Sequence, residues 1–578
     1  MANLIFGLLS ILNLCFVIII IILKINYMKI IQLKELIILL LLSFSLFFSS
    51  INSLPVLDRD EARYTQSSKQ MIESNNYFSI KFQNEYRSKK PIGIYWLQAI
   101  SVNLFTNINY LNNFKYEVLN DNIWKYRLIS AGATFLSILF LYFFTNNLFQ
   151  REVAFKSCLI LAASLLVIAE AHIAKTDSVL LLLSTIIFIT LFKYYTGYDN
   201  KSILHFFLLW GSLGISILIK GPLLLILLFL TVISIIFIEK DISWIKNSRP
   251  LLGILFVLII GLPWFFLLSI EEQKNFIQES FFHDFLGKAL IAQESHGAFP
   301  GFHTLGLWIF FSPFSLFFMP LINFIKTSYK RKKILFLICW FLPCLIVMEI
   351  IPTKLPHYIL PVYPAISIIM GFLLSDIKKN ESLFFNKLSY VGYFIYFLVS
   401  NALIIFLLKA NQVYGEINFL SIIYYCLLLL LNNIVFIFIF KKQIRNAFYY
   451  LVFYSSIFST IIYLLILPNL TLLWTSKNIA FLLEKNDYAE NKNSIATIGY
   501  NEPSLIFEVG TQLKVFNNIE SLIKNFRRFD YLLIEKDYYM EFNEIVKGEY
   551  LSYNVITNVK GYNASKGKWV AVYLLKKL

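Results

Sequence analysis

Fourteen stretches of this chain are almost wholly apolar and about 17 to 24 residues long, the length an α-helix needs to cross a hydrocarbon layer of about 30 Å. They fall near 4–23, 36–54, 124–148, 153–173, 177–196, 203–219, 223–238, 250–269, 303–326, 334–351, 358–375, 388–408, 418–440 and 447–467. With 58% hydrophobic residues among 578, the chain holds more apolar surface than a soluble domain can bury and reads as a polytopic α-helical membrane protein. The formal charge of +16 would suggest nucleic acid in a soluble protein. Here the lysines and arginines collect in short loops, and no nucleic-acid partner is expected. All five cysteines (Cys15, Cys158, Cys339, Cys344 and Cys426) lie in apolar segments, as buried thiols do. Residues 4–23 lack a small-residue cleavage site and precede Lys24 and Lys29, so they read as an extra retained anchor, with Met28 as an alternative start.

Charge bias orients the spans. Alternate loops carry Lys24/Lys29/Lys34, Arg151, Lys201, Lys240/Lys246/Arg249, Lys330–Lys333, Lys378/Lys379 and Lys441/Lys442/Arg445, and by the positive-inside rule these are cytoplasmic. The opposite, outer face receives residues 55–123, the turns at Asp177 and Gly221, residues 270–302, the turn 352–357 and everything after about 468. Residues 468–578 change character, with runs such as SIATIGY, DYLLIE and KWVAVYLL between amphipathic stretches, and predict a small α/β domain outside the membrane. Its 14 Lys/Arg against 12 Asp/Glu leave it nearly neutral.

The polar clusters share that outer face. Asp58, Asp60, Glu61 and Arg63 crowd the end of the second span; helix capping accounts for one acid there but not for three. Arg87, Lys89, Lys90 and Pro91 precede the amphipathic GIYWLQAI. Snorkelling would explain them on the cytoplasmic side, whereas on the outer side they break the charge bias and favour a bound anion such as phosphate. Asp177, in AHIAKTDSVLLL, either caps a helix or joins Asp60 in a carboxylate pair flanking a sugar's anomeric carbon. The segment FFHDFLGKALIAQESHGAFPGFH (281–303) holds Asp284, Lys288, Glu294 and His296 at spacings that fit no tight zinc motif, and reads better as a mobile gate in which Lys288 supplies a cation. In TKLPHYILPVYPA (353–365) the prolines disturb a span's backbone, which is tolerated beside a water-filled cavity. Lys354, His357 and Tyr358 would then stand at its mouth. Glu502, in the C-terminal domain, completes the candidate set.

Taken together, RDEARY, KKPIGIYWLQ, the acid of AKTDSVLLL, KGP at Lys220–Pro222 and TKLPHYILPVYPA resemble the ArnT-like lipid A glycosyltransferases, bacterial relatives of the protein O-mannosyltransferases in the GT-C class. The resemblance runs from about residue 36 to 480. It implies thirteen transmembrane helices, periplasmic juxtamembrane helices and a C-terminal periplasmic domain, in the bacterial inner membrane. It further implies transfer of a sugar, aminoarabinose or a hexosamine such as galactosamine, from undecaprenyl phosphate to a lipid A phosphate. Asp60 matches the catalytic-loop acid, Asp177 the second acid, Lys90 the lysine on the carrier phosphate and Tyr358 a phosphate-contacting motif. Two positions depart from the pattern. Lys89 stands where relatives commonly have Glu, removing one proposed metal ligand, so a divalent cation stays an open cofactor; Lys288 stands where they often have Arg, keeping the charge without the bidentate fork. A protein O-glycosyltransferase using the same carrier, a secondary transporter and a non-catalytic scaffold are the alternatives.

Overall fold

The computed structural model describes residues 30–106, 122–198, 202–291, 297–486, 488, 494–547 and 553–578. The anchor at 4–23, the start at Met28, and Glu294 and His296 lie outside the described residues. Each of the thirteen spans expected from residue 36 onward falls on helix. Among the described residues nine helices are long and apolar enough to cross a membrane, eleven when each of two bent pairs counts as one span. Ile30–Phe48 and Leu223–Glu239 occupy the remaining two stretches.

The two bent spans meet at their breaks. Arg151–Ala162 meets Leu165–Ala171 at 62°, and Phe302–Phe310 meets Phe314–Ser328 at 118°. The Ser164 hydroxyl donates back to the Ile160 carbonyl at 2.6 Å, a local bond that competes with the helical ladder. The Leu165 N–H then donates to the Ser312 carbonyl at 2.9 Å, so each break supplies a backbone partner to the other where water cannot. In the proline-rich span, Pro356–Val362 tightens into 3₁₀ turns before the α-helix Tyr363–Ser375, because prolines withhold the N–H that α-helical bonding needs.

A two-stranded hairpin, β1 (Lys81–Phe82) and β2 (Glu85–Tyr86), leads into the lysine pair. The C-terminal domain holds β3 (Ile495–Ile498), β4 (Lys514–Phe516), β5 (Tyr531–Glu535), β6 (Tyr553–Asn563) and β7 (Lys568–Lys577) in the order β4-β3-β5-β7-β6. β3 runs parallel to β4 and β5; β7 is antiparallel to β5 and β6. The apolar run of β5 follows from its central place. Tyr531 and Leu533 enter one core with Ile479 and Leu505, while Leu532 and Ile534 enter the other with Leu522 and Phe526, as period-two side chains must when both faces are covered.

The helix Asp60–Ser74 is clamped between this domain and the bundle. Phe507 packs with Ala62, Val102 and Tyr126, and the Gln66 amide donates to Thr511 Oγ1 at 2.6 Å. On the bundle side the helix is held by one ion pair. Arg127 donates through Nε and Nη2 to the two oxygens of Glu61, both at 2.8 Å, and its guanidinium also reaches the carbonyls of Ile51, Leu54 and Pro55. Glu61 in turn accepts the Leu57 and Ala174 N–H groups. Glu61 and Arg127 are themselves fully buried. Replacing Arg127 with Met is expected to destabilise the protein by about 3 to 5 kcal/mol, since the Glu61 charge is left buried and unpaired, and the added change Glu61→Gln to recover part of that loss. Thermal unfolding of the detergent-solubilised protein measures both.

Candidate active site

Six separate segments converge on one cavity at one end of the bundle. The first turn of Asp60–Ser74 contributes Asp60, Arg63 and Tyr64, and the loop after β2 contributes Arg87, Lys89 and Lys90. Helix ends supply Asp177 at the start of Asp177–Thr196 and Lys220 at the end of Ser212–Lys220. Asp284 and Lys288 come from a fifth segment, and His357 and Tyr358 from the 3₁₀ turns of the proline-rich span. Asp60, Lys90, Asp177 and Tyr358, expected to meet, line the same walls.

The charges are arranged in pairs. Asp177 Oδ1 accepts from Lys220 Nζ at 2.6 Å, with Lys175 Nζ and His357 Nε2 each 3.8 Å from its other oxygen. Lys175 also pairs with Glu170 at 3.0 Å and lies 3.1 Å from His357 Nδ1. The Lys220 ammonium stands over the Tyr358 ring, 5.4 Å from its centre, a cation–π placement. Arg87 lies over Tyr64 and donates to the Tyr95 hydroxyl at 3.1 Å. Asp284 bridges Lys90 and Lys288, the latter at 2.6 Å. Burial alone would raise its carboxyl, but the two ammonium groups outweigh that and hold it below the ordinary range. Burial pulls Lys90 down from the usual lysine range, with Lys220 and Lys288 adding repulsion and Asp284 opposing it.

Seven cationic side chains face three carboxylates around the cavity, so its field attracts an anion. Asp60 differs from the other two acids: it is exposed to the cavity and forms no ion pair among the described residues. A carboxylate in that position can meet a substrate, while the lysines hold a phosphate beside it. Lying at helix ends, the cavity is unlike the midplane sites of broken helices on which transporters are built.

Several candidates fall elsewhere. Glu61, expected beside Asp60 in the chemistry, is turned away into the Arg127 pair, because successive helix positions point about 100° apart. Lys354 does not line the cavity; its buried ammonium donates to the Ile351 carbonyl at 2.5 Å. Asp58 and Glu502 sit at the seam with the C-terminal domain. Asp58 accepts the Ser504 N–H at 3.1 Å, and Glu502 accepts from the Asn563 amide at 2.7 Å and pairs with Lys566 at 3.7 Å. Between them, Arg59 adopts φ 65° and donates to the Ser565 carbonyl in the β6–β7 turn, a sparsely populated conformation directly before Asp60 that tertiary contacts must hold.

A family model described as dolichyl-phosphate-mannose-protein mannosyltransferase matches residues 89–266, the stretch from Lys89 and Lys90 through Asp177 and Lys220. The undecaprenyl phosphate-alpha-4-amino-4-deoxy-L-arabinose arabinosyl transferase of Photorhabdus laumondii is 24% identical over 351 residues, covering 58% of this chain and 59% of that protein. An uncharacterised protein of Aquifex aeolicus is 26% identical over 343 residues, covering 59% of this chain and 74% of its own length. The crystal structure of ArnT from Cupriavidus metallidurans bound to undecaprenyl phosphate superposes with a TM-score of 0.68 at 17% identity, over 93% of this chain and 97% of that one. This chain has the fold of ArnT. Its sequence match spans about three fifths of the arabinosyl transferase's length, and the structural match nearly the whole of both chains.

Two charged residues escaped the reading of the sequence, Lys175, which lines the pocket, and Glu170, which pairs with it. Glu170 and Lys175 sit in or just after an apolar span, where an ionisable residue is itself a signal. Lys220 was visible only as part of KGP. Asp58 supplies a pH test of the seam. Burial, with Glu502 adding repulsion, raises its carboxyl to about 6, against about 3.9 in an unfolded chain. The folded protein therefore holds this proton more tightly, and the contribution of Asp58 to stability falls as pH rises from about 4 to 6, by on the order of 3 kcal/mol at 1.36 kcal/mol per pKa unit. Asp58→Asn is expected to flatten that part of the stability–pH curve, read from thermal unfolding.

Proposed function

We propose that this ArnT-like chain moves an amino sugar, aminoarabinose or a hexosamine such as galactosamine, from undecaprenyl phosphate to a phosphate of lipid A at the periplasmic face of the bacterial inner membrane. The observation that carries this reading is the placing of Lys90 and Lys288, bridged by one carboxylate, in the same cavity as the exposed Asp60 and the lysine-paired Asp177. Lysines suit a carrier phosphate as point charges, and a carboxylate suits the positive charge that grows on the sugar ring as its bond to the carrier stretches.

The reaction is a single displacement. An oxygen of the acceptor phosphate attacks the anomeric carbon as the bond to the carrier phosphate breaks, and the configuration inverts. With a second pKa of about 6, the acceptor phosphate is ionised at pH 7 and needs no base. Asp60 then orients the acceptor and stabilises the oxocarbenium-like sugar, while Lys90 and Lys288 take up the charge developing on the departing phosphate. Lys89, on the same wall, adds to the field that draws in the anionic headgroup. The donor set does not fit a resident divalent cation: Asp177 and Asp284 each already neutralise lysines, and the surplus of cations opposes another positive ion.

The family model's description favours a second reading, in which the acceptor is a protein hydroxyl. An alcohol is far less acidic than phosphate, and Asp60 would then have to act as a base. Mass spectrometry of lipid A from cells with and without the gene separates the two, with loss of one sugar substituent expected on deletion and unchanged lipid A assigning the protein acceptor. Asp60→Asn is expected to lower transfer by at least about 100-fold, the scale of losing a positioned charge or acid–base group, with normal amounts in the membrane. For Lys90→Ala the loss is expected in affinity for the lipid-linked donor, measured by direct binding.

A further inference from the structure

Two cations of the pocket are already neutralised from within. Asp284 offers one oxygen to Lys288 and the other to Lys90, the arrangement in which two phosphate oxygens would engage the same pair of ammonium groups. The acid is 9% exposed, while Lys90 and Lys288 are 19% and 20% exposed, so both lysines present an open side to the cavity. Asp284 also lies in a π-helical segment, Ile277–Gly287, a geometry common at functional positions because the wider turn re-aims side chains.

Resting on the transferase reading above, we propose that Asp284 is a built-in counter-ion: it yields Lys90 and Lys288 to the departing carrier phosphate and takes them back to release it. The argument is one of charge. In the donor the carrier phosphate is a diester with one negative charge, the same as the Asp284 carboxylate. When the bond between the anomeric carbon and the carrier oxygen breaks, the electron pair leaves with the carrier, which becomes a monoester carrying about −1.5 to −2 at pH 7. The acceptor phosphate, now bonded to the anomeric carbon, loses one charge in the same step, so negative charge crosses the pocket toward the two lysines. Asp284 therefore competes evenly with the donor and yields progressively as the transition state is reached, which strengthens the lysine contacts where they accelerate the reaction. The same lysines would hold a dianionic product too well, and a carboxylate poised between them opposes that. Asp284 acts through Lys90 and Lys288 and is a positioning residue.

Binding of undecaprenyl phosphate, without sugar, to the purified full-length protein tests this. Asp284→Asn is expected to bind it about tenfold more tightly, the scale of removing a competing buried charge. Asp284→Glu should stay close to the parent, and Asp284→Ser serves as a second charge-removing variant should the first fold poorly. In turnover, Asp284→Asn should slow as product accumulates, with product inhibition correspondingly stronger. Affinity that is unchanged or weaker in both neutral variants overturns the counter-ion while leaving the donor assignment standing. Failure of the parent protein itself to bind undecaprenyl phosphate overturns the donor assignment and the inference with it.

Discussion

The pocket rests on the pair of Glu61 and Arg127, which it never touches. Two charges sealed in a protein interior lose solvation worth several kcal/mol each, and their attraction offsets this only when the geometry is close and the remaining donors and acceptors find partners. Here they do. The guanidinium spans the carboxylate and three carbonyls of the loop before Asp60, and the carboxylate collects N–H groups from Leu57 and from Ala174. Because Ala174 lies three residues before Asp177, a single buried pair draws the Asp60 loop and the Asp177 segment together. The C-terminal domain closes the arrangement from the other side through Ser504, Ser565 and Phe507.

Within the pocket so formed, charge is distributed unevenly for a reason. Lysines placed close together repel one another, and each pair of them is accordingly given a carboxylate: Asp177 for Lys220 and Lys175, Asp284 for Lys90 and Lys288. What remains is a net positive chamber with one exposed acid, Asp60. That asymmetry suits the anionic lipid headgroup and electron-poor sugar ring of the proposed reaction.

Much of this was legible in the sequence. Apolar length located the thirteen helices because hydrocarbon thickness imposes it, and charge bias placed the polar loops on one side. Asp60, Lys90, Asp177 and Lys288 were recognisable since acids and lysines on the face expected to be outer lack an ordinary explanation there, and Tyr358 through the motif TKLPHYILPVYPA. Other residues were misjudged where neighbours in sequence point in different directions in space. Glu61 follows Asp60 yet faces the bundle; Lys354 precedes His357 by three residues and turns back to the Ile351 carbonyl at the end of the preceding helix; Asp58 and Glu502 meet at the domain seam. Asp284 was noticed as one charge in a polar segment, with nothing to show that it would sit between two lysines from different loops.

Spans and the chemical types gathered at one end are properties of composition and period, so the sequence by itself determined them. Tertiary structure alone decided which charges neutralise one another and which face the cavity. Pairing energies depend on separations of a few ångströms and on the loss of water around each group, and neither can be read from order along a chain. The helical kinks that satisfy each other at Leu165 and Ser312, and the counter-ion role inferred for Asp284, belong to that second class.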